Sequence, residues 1–330
     1  WALSVYYCWK GVKDNDSLSW LLFGVFAALG ILSKYLFVYL LFAIDIFFIY
    51  LIIKKNFKYK SLISLITFLI LLIPHIFWLM ENDYITLAYG LGRTGIEKSN
   101  HLDHLYFPAI FLGKQLALLF PFLVMFLILV TKFKYKIKLK DKKTLFLVVI
   151  NLAPIILIFL TSLIFGAKIR TMWMTPFYLF AGVLLVYIFQ KKINLKKLNT
   201  FFLVFLFLFI FSPAMYLYIS ITQTDKRTDY PGKEIAEVVQ EKWEANFTNT
   251  IDSVIGDEWH AGNLSYHLKS RPVSIISSKH EPIGMKKGTL RIYFSFGWAN
   301  CQYNYRTGYK DIKKELSVNN KKFTICFAEK

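Results

Sequence analysis

Cysteine is scarce in this chain. Its 330 residues hold three, Cys8, Cys301 and Cys326. No two form a CxxC pair, which removes support for a zinc ribbon or a thioredoxin-type redox motif. Cys301 and Cys326 both fall in the last quarter of the sequence. They suit a disulfide if that region lies outside the cytoplasm, and two separate buried thiols otherwise. Acidic residues are also few, 21 Asp and Glu against 40 Lys and Arg. The first residue is Trp, no signal peptide is visible, and no long internal repeat appears.

Apolar residues are abundant. They make up 56% of the chain, at a mean hydropathy of +0.44, while 18% of residues are charged. That mixture belongs to apolar spans separated by charged loops. Residues 1–221 carry 23 basic and 8 acidic side chains, and residues 222–330 carry 17 and 13. Most of the positive excess therefore sits between apolar segments. Topology explains that placement better than a nucleic-acid partner, which is excluded as the reading of the charge.

Residues 17–53 are apolar apart from Lys34 and Asp45. At about 1.5 Å per residue they suffice for two crossings, with the break at Ser33-Lys34-Tyr35. Further spans are expected at 61–80, 108–131, 144–165, 172–189 and 200–221. The total is seven complete spans. Residues 1–9 read as the inner end of an eighth, so the expected record is an N-terminally truncated membrane domain over 1–221. Loops 54–60, 132–143 and 191–197 hold four, seven and four lysines. The alternate connections hold Lys34, then Arg93 and Lys98, then Lys168 and Arg170. The positive-inside rule makes the lysine-rich loops cytoplasmic. The Lys34 turn, the segment 81–106 and everything beyond about 222 are then outside. The fold class expected is a polytopic α-helical membrane protein with a small C-terminal α/β extracytoplasmic domain over 222–330. In that domain residues 231–245 and 260–268 read as helices, and 253–256, 273–277, 290–296 and 323–327 as strands. Asn246 and Asn263 open sequons, a weak signal.

Charge at membrane depth needs an explanation. Asp45, mid-span, requires a cationic neighbour or a proton. Lys34 is either an interfacial lysine reaching water or a cation at an outer cleft. Pro74 loosens the end of its span, and His75 either satisfies the freed backbone or faces a polar cavity. Trp78 fits an aromatic belt. In the 81–106 segment Glu81, Asp83, Tyr84, Tyr89, Arg93, His101, Asp103 and His104 suit a sugar or phosphate site, or simply a wet loop. His101, Asp103 and His104 lack a further anchored ligand for a metal. Lys168 and Arg170 flank a tight hairpin and break the positive-inside bias, either as snorkelling side chains or as a phosphate clamp in which the guanidinium supplies directional hydrogen bonds. An anionic lipid-linked phosphate would account for the outward cations together.

The stretches GVFAALGILSKY (24–35), PHIFWLMEND (74–83), AYGLGRTG (88–95), KIRTMWMTP (168–176), YPGKEIA (230–236) and EWHAGNLS (258–265), with Arg271-Pro272, occur in this order along the chain. In this the sequence resembles the polytopic glycosyltransferases of the C-type superfamily, bacterial families 39 and 83, which include protein mannosyltransferase-like enzymes and the lipid A aminoarabinose transferase. The resemblance implies transfer of a sugar from a polyprenyl-phosphate carrier to a lipid, glycan or protein acceptor, at the outer face of the bacterial inner membrane, with the C-terminal domain in the periplasm. It implies that Lys34, Lys168 and Arg170 contact the donor phosphate, and that Tyr35, His75, Trp78 and Arg93 line the cavity. The family's acidic motifs lie in its first outer loop and shortly before the position of Trp1, and neither is in this sequence. The catalytic base therefore has no counterpart here, and Glu81 and Asp83 do not fill the vacancy. No cofactor follows with certainty, and a divalent metal is unsupported. The competing class is a lipid-linked glycan transporter or flippase, which would carry polar residues along its spans to the midplane. A third, a membrane anchor for the tail, would not need Lys34 or Arg170.

Overall fold

The structure is a computed structural model. It describes residues 1–96, 99–130, 140–223, 229–245, 247–256, 258–276, 289–291, 310–318 and 321–329. The chain divides into two compact units, Trp1–Pro213 and Ala214–Lys330, which part inside one helix.

The first unit is built from helices. In order they are α1 (Ala2–Asp14), α2 (Ser17–Ser33), α3 (Val38–Ile53), α4 (Leu62–Glu81), α5 (Ile85–Thr94), α6 (Asp103–Leu129), α7 (Lys142–Phe165), α8 (Ala181–Phe189) and α9 (Leu198–Thr222). Short 3-10 turns lead into α3, α4 and α9. Among the described residues five helical stretches are long and apolar enough to cross a membrane: Tyr35–Ile53, Tyr59–Glu81, Asp103–Leu129, Lys142–Phe165 and Leu195–Thr222. A 3-10 helix over Thr171–Tyr178 and α8 meet at a 41° bend and make a sixth if taken as one span. The expected span at 172–189 is thus broken, and Pro176 supplies a cause: its nitrogen carries no hydrogen for the helical ladder. The expected span at 17–33 is α2, whose 17 residues cover only about 25 Å.

Water cannot be the solvent of these surfaces. Leu203, Phe207 and Phe209 of α9 are more than 60% exposed, and none of that helix is buried. Such a helix is stable in hydrocarbon, where all its backbone groups are satisfied internally. Inside the bundle, packing replaces the hydrophobic effect as the source of order. Trp20, Phe23, Leu40, Ile44, Phe47, Phe146 and Ile150 form one buried cluster across α2, α3 and α7. Gly24 lets α2 and α4 approach: a Cβ there would lie 2.5 Å from the Ser64 carbonyl oxygen.

Two ends of the bundle can be told apart. At one, Lys142 Nζ donates to Asn56 Oδ1 (3.1 Å), and Asn194 N donates to Leu129 O (2.8 Å). These bonds join the lysine-bearing connections to one another. Asp16 caps α2 and Asp141 caps α7 at this end, each accepting from the backbone N–H three residues on. The Lys34 turn, α5 and the hairpin 166–170 gather at the other end.

The second unit holds α10 (Gly232–Glu244), β1 (Ser253–Gly256), α11 (Glu258–His267), β2 (Val273–Ile276), β3 (Thr289–Arg291), β4 (Lys310–Val318) and β5 (Lys321–Glu329). Parallel strands run in the order β2-β1-β3, with Ser253 opposite both Val273 and Thr289. An antiparallel pair, β4-β5, puts Lys310 opposite Glu329. Ile235, Val239 and Trp243 bury the apolar face of α10 against Val254 and Leu264. Each such side chain contributes about 1.5–3 kcal/mol in water. The strand at 310–318 has no counterpart among the sequence expectations. Cys301 and Asn246 lie outside the described residues.

Candidate functional site

The end of the bundle that carries Lys34 is built by four pieces of chain. The first is the turn after α2, where Lys34 adopts an extended conformation and its side chain is exposed. Tyr35, next in sequence, is partly buried. Its hydroxyl lies 2.9 Å from His75 Nε2 and 2.8 Å from Thr86 Oγ1. His75 stacks on Trp78 one turn further along α4, with ring centroids 5.8 Å apart. His75, next to Pro74 inside α4, turns to Tyr35. Three of the four residues named as cavity lining, Tyr35, His75 and Trp78, are therefore in contact.

The fourth, Arg93, lies on α5. That helix occupies ten residues of the segment read as a loop, with α4 ending only at Glu81 and α6 starting at Asp103. Its entry is tight, because Asp83 and Tyr84 both take positive φ angles, +49° and +53°. Left-handed backbone at two successive non-glycine residues stores strain of about 1–3 kcal/mol each. Arg93 lies over the Tyr89 ring, 5.6 Å from its centroid.

The hairpin 166–170 is held from three sides. Gly166 ends α7 with φ +61°, and a Cβ on it would come within 2.8 Å of Ser99 Cβ. Buried Ser162 donates to Ala167 O (2.7 Å), and Lys168 N donates to Thr94 O (2.9 Å) at the end of α5. His104 Nδ1 lies 3.0 Å from Leu163 O. Asp103 Oδ2 accepts from Asn100 N (2.9 Å). His104 and Asp103 are thus engaged in securing this hairpin and the start of α6. Among the described residues no three His, Cys, Asp or Glu side chains gather to hold a metal.

Lys168 and Arg170 open on one cavity of about 600 Å³. Tyr106, Phe107 and Phe111 of α6 and Met172 form its apolar walls. A third cation completes it, Lys114 of α6. Lys114 is not among the site residues expected from the sequence, although it lies inside the expected span 108–131. The signal was present: a lysine at membrane depth, about 17 Å along α6, in a helix about 40 Å long. The neighbouring Gln115 is buried and accepts a hydrogen bond from the Tyr178 hydroxyl (2.7 Å), which anchors α6 to the 3-10 helix behind the cavity. Lys168 also reaches towards the Phe107 ring, with Nζ 6.0 Å from its centroid.

Lys34 is not among the residues lining this cavity. It borders the same packing cluster, however. Phe111, Ile158, Met174 and Phe177 are buried together, with Leu36, Tyr39 and Ile169 packed against them. Leu36 follows Lys34 by two positions, and Ile169 lies between Lys168 and Arg170. Tyr39 donates to Thr161 Oγ1 (2.9 Å), further fixing α3 to α7.

Asp45 meets no cation among the described residues. It is exposed on α3 and faces an apolar groove of about 330 Å³ with Phe23, Gly24 and Phe68.

Residues 1–78 match the family model described as dolichyl-phosphate-mannose-protein mannosyltransferase. The matched region contains α1 to α3 and most of α4, with Lys34, Tyr35, His75 and Trp78. No curated protein and no solved structure matches the chain.

Proposed function

We propose that this chain carries the membrane domain of a glycosyltransferase that takes a sugar from a polyprenyl-phosphate carrier, with the donor phosphate in the cavity lined by Lys114, Lys168 and Arg170. The observation that carries the reading is this group of three cations around one apolar-walled cavity, at the end of the bundle away from the lysine-rich loops. Apolar walls suit the first isoprene units, and the cations suit the phosphate. The similarity of residues 1–78 to the mannosyltransferase family model supports the same chemistry.

In the reaction, the bond between the anomeric carbon and the phosphate oxygen breaks while the acceptor hydroxyl oxygen bonds to that carbon. The phosphate leaves with the bonding pair. A carboxylate base takes the hydroxyl proton. Charge on the phosphate rises from one negative charge towards two, so the three cations bind the departing group more strongly than the donor and lower the barrier. Arg170, part-buried beside the 3-10 helix, supplies the directional contacts, while Lys114 and Lys168 act as point charges. Lys34, with Tyr35, His75, Trp78 and Arg93, borders the sugar-bearing side. By charge bias this end faces outward, and in this reading the membrane is the bacterial inner membrane, with residues 222–330 in the periplasm. The acceptor is a lipid, a glycan or a protein.

This sequence has no counterpart of that base, so the test is turnover of labelled polyprenyl-phosphate sugars in membranes containing the chain together with the part of the protein that supplies it. Transfer of the label to an acceptor, with release of polyprenyl phosphate, is the expected result. Donor that stays intact across a panel of sugars, or label that crosses the bilayer without leaving its carrier, would remove the glycosyltransferase reading.

A further inference from the structure

The opposite end of the bundle carries a second site, one the proposed transfer reaction does not use. Where α2, α3 and α4 meet the lysine-rich loops, Asn56, Lys58, Lys142 and Trp20 surround a niche of about 20 Å³. That is room for one or two oxygen atoms. Lys142 already points into this corner, donating to Asn56 Oδ1. Trp20 is 1% exposed, and its indole Nε1 has no hydrogen-bond partner. That N–H is sealed off from solvent, so the polarity of the niche is set by Asn56 and the two lysines.

The niche opens onto the apolar groove already described. Phe48, Phe57 and Ser61 line both. From these shared residues the groove runs between α2, α3 and α4 past Leu65 and Ile49 towards mid-span, and it holds about 330 Å³. Its one ionisable side chain is Asp45, two turns of α3 before Ile52 and so well away from the niche. Two lysines at the mouth, with a hydrocarbon-lined channel beyond, are complementary to a single molecule with an anionic head and a chain.

We propose that this corner is a binding site for an anionic glycerophospholipid, its headgroup oxygens on Lys58 and Lys142 and one acyl chain in the groove. The site does not depend on the glycosyltransferase reading. Lysine pairs at this depth of the interface each contribute to anionic-lipid binding, so loss of both weakens it by tenfold or more. A bound lipid also wedges α2 against α4 at the end opposite the phosphate cavity, and stabilises the bundle through mass action.

The experiment uses the whole chain, purified in detergent and stripped of lipid. Phosphatidylglycerol, phosphatidylcholine and glycerol phosphate are titrated back separately. Native mass spectrometry reads occupancy, and thermal unfolding reads stabilisation. Phosphatidylglycerol should bind as a single tightly held copy and raise the melting temperature. Phosphatidylcholine should bind at least tenfold more weakly, and glycerol phosphate alone should give no shift. Lys58→Gln with Lys142→Gln should weaken phosphatidylglycerol tenfold or more. Leu65→Trp, which fills the groove and keeps both lysines, should also displace it. A control, Lys191→Gln with Lys192→Gln, removes equal charge from another loop at the same end and should leave binding unchanged. Equal affinity for the two lipids, or an equal loss in the control, would overturn the proposal. So would retention in both the Lys58/Lys142 and Leu65 variants. The lipid-free melting temperature of each variant separates misfolding from lost binding.

Discussion

At the scale of single residues, the cations decide. Arg170→Ala should lower the rate of sugar transfer by tenfold or more, equivalent to about 1.4 kcal/mol of transition-state stabilisation. Arg170→Lys should recover only part of it, because a point charge cannot give paired hydrogen bonds. Lys114→Ala should cause a loss of the same order in donor turnover. Initial rates with saturating donor measure both, and wild-type rates in Arg170→Ala and Lys114→Ala would remove the cavity from the mechanism. Lys168 and Arg170 were legible in the sequence because they break an otherwise consistent charge bias. Lys114 lies beside Gln115 in an otherwise apolar span and breaks no charge alternation between loops, so the sequence does not single it out. Only the fold, which turns that face of α6 towards the hairpin, makes it a site residue.

A carboxylate at the other end carries a pH prediction. Hydrogen bonds with Thr144, side chain first and then backbone, and with Tyr187 hold the Asp141 carboxyl below its ordinary pKa. A group depressed in the folded state adds stability above its unfolded pKa, about 3.9. It loses that contribution as pH falls through the lower folded value. Asp141→Asn keeps the cap of α7 and removes this dependence. Asp141→Ala removes the cap as well, at about 1 kcal/mol. Melting temperatures at neutral and acid pH should separate the two: Asp141→Asn stable and flatter with pH, Asp141→Ala lower at every pH.

At the scale of elements, the turns around the site are more specific than the spans. Gly166 combines a positive φ with a wall at Ser99. Gly166→Ala should therefore strain the backbone, displace Ser99 and loosen the hairpin that presents Lys168 and Arg170. A loss of about 1–2 kcal/mol in stability is expected from the left-handed backbone alone, read by thermal unfolding in detergent. An unchanged melting temperature would show that this turn is not fixed as described. Tyr35→Phe removes the shared partner of His75 and Thr86 and should free α5 from α4, raising proteolysis at residues 82–96 without changing the spans. The resemblance offered Tyr35 and His75 as cavity-lining residues forty positions apart, but not as partners. Their contact depends on how α2 and the turn after it pack against α4. Helix α5 was hidden for a different reason: its ten residues include Gly90 and Gly92, poor helix formers, within a segment read as a loop. The break at Pro176 was visible as a proline, but whether a proline bends a span or sits in it depends on the neighbours that satisfy the freed carbonyl.

At the scale of the whole molecule, the two ends of the bundle differ in both charge and architecture. Single cysteines placed at Leu91 and Met172 should be labelled from outside by a membrane-impermeant reagent, and those at Lys55 and Lys192 only after permeabilisation. The reverse pattern would invert the topology and, with it, the placement of the phosphate cavity.

The amino-acid sequence by itself determined that this chain lives in a membrane, where most of its long apolar helices fall, and which loops carry the positive charge. Those properties follow from local physics: hydrocarbon demands long apolar helices with internally paired backbone, and lysine placement alternates between connections. What the tertiary structure alone decided is who meets whom. It set Lys114 beside Lys168 and Arg170, Tyr35 between His75 and Thr86, and the lysine niche at the mouth of an apolar groove. Each meeting joins residues far apart in the chain through helix crossings, and helix crossings are set by packing of small and large side chains that no single stretch of sequence contains.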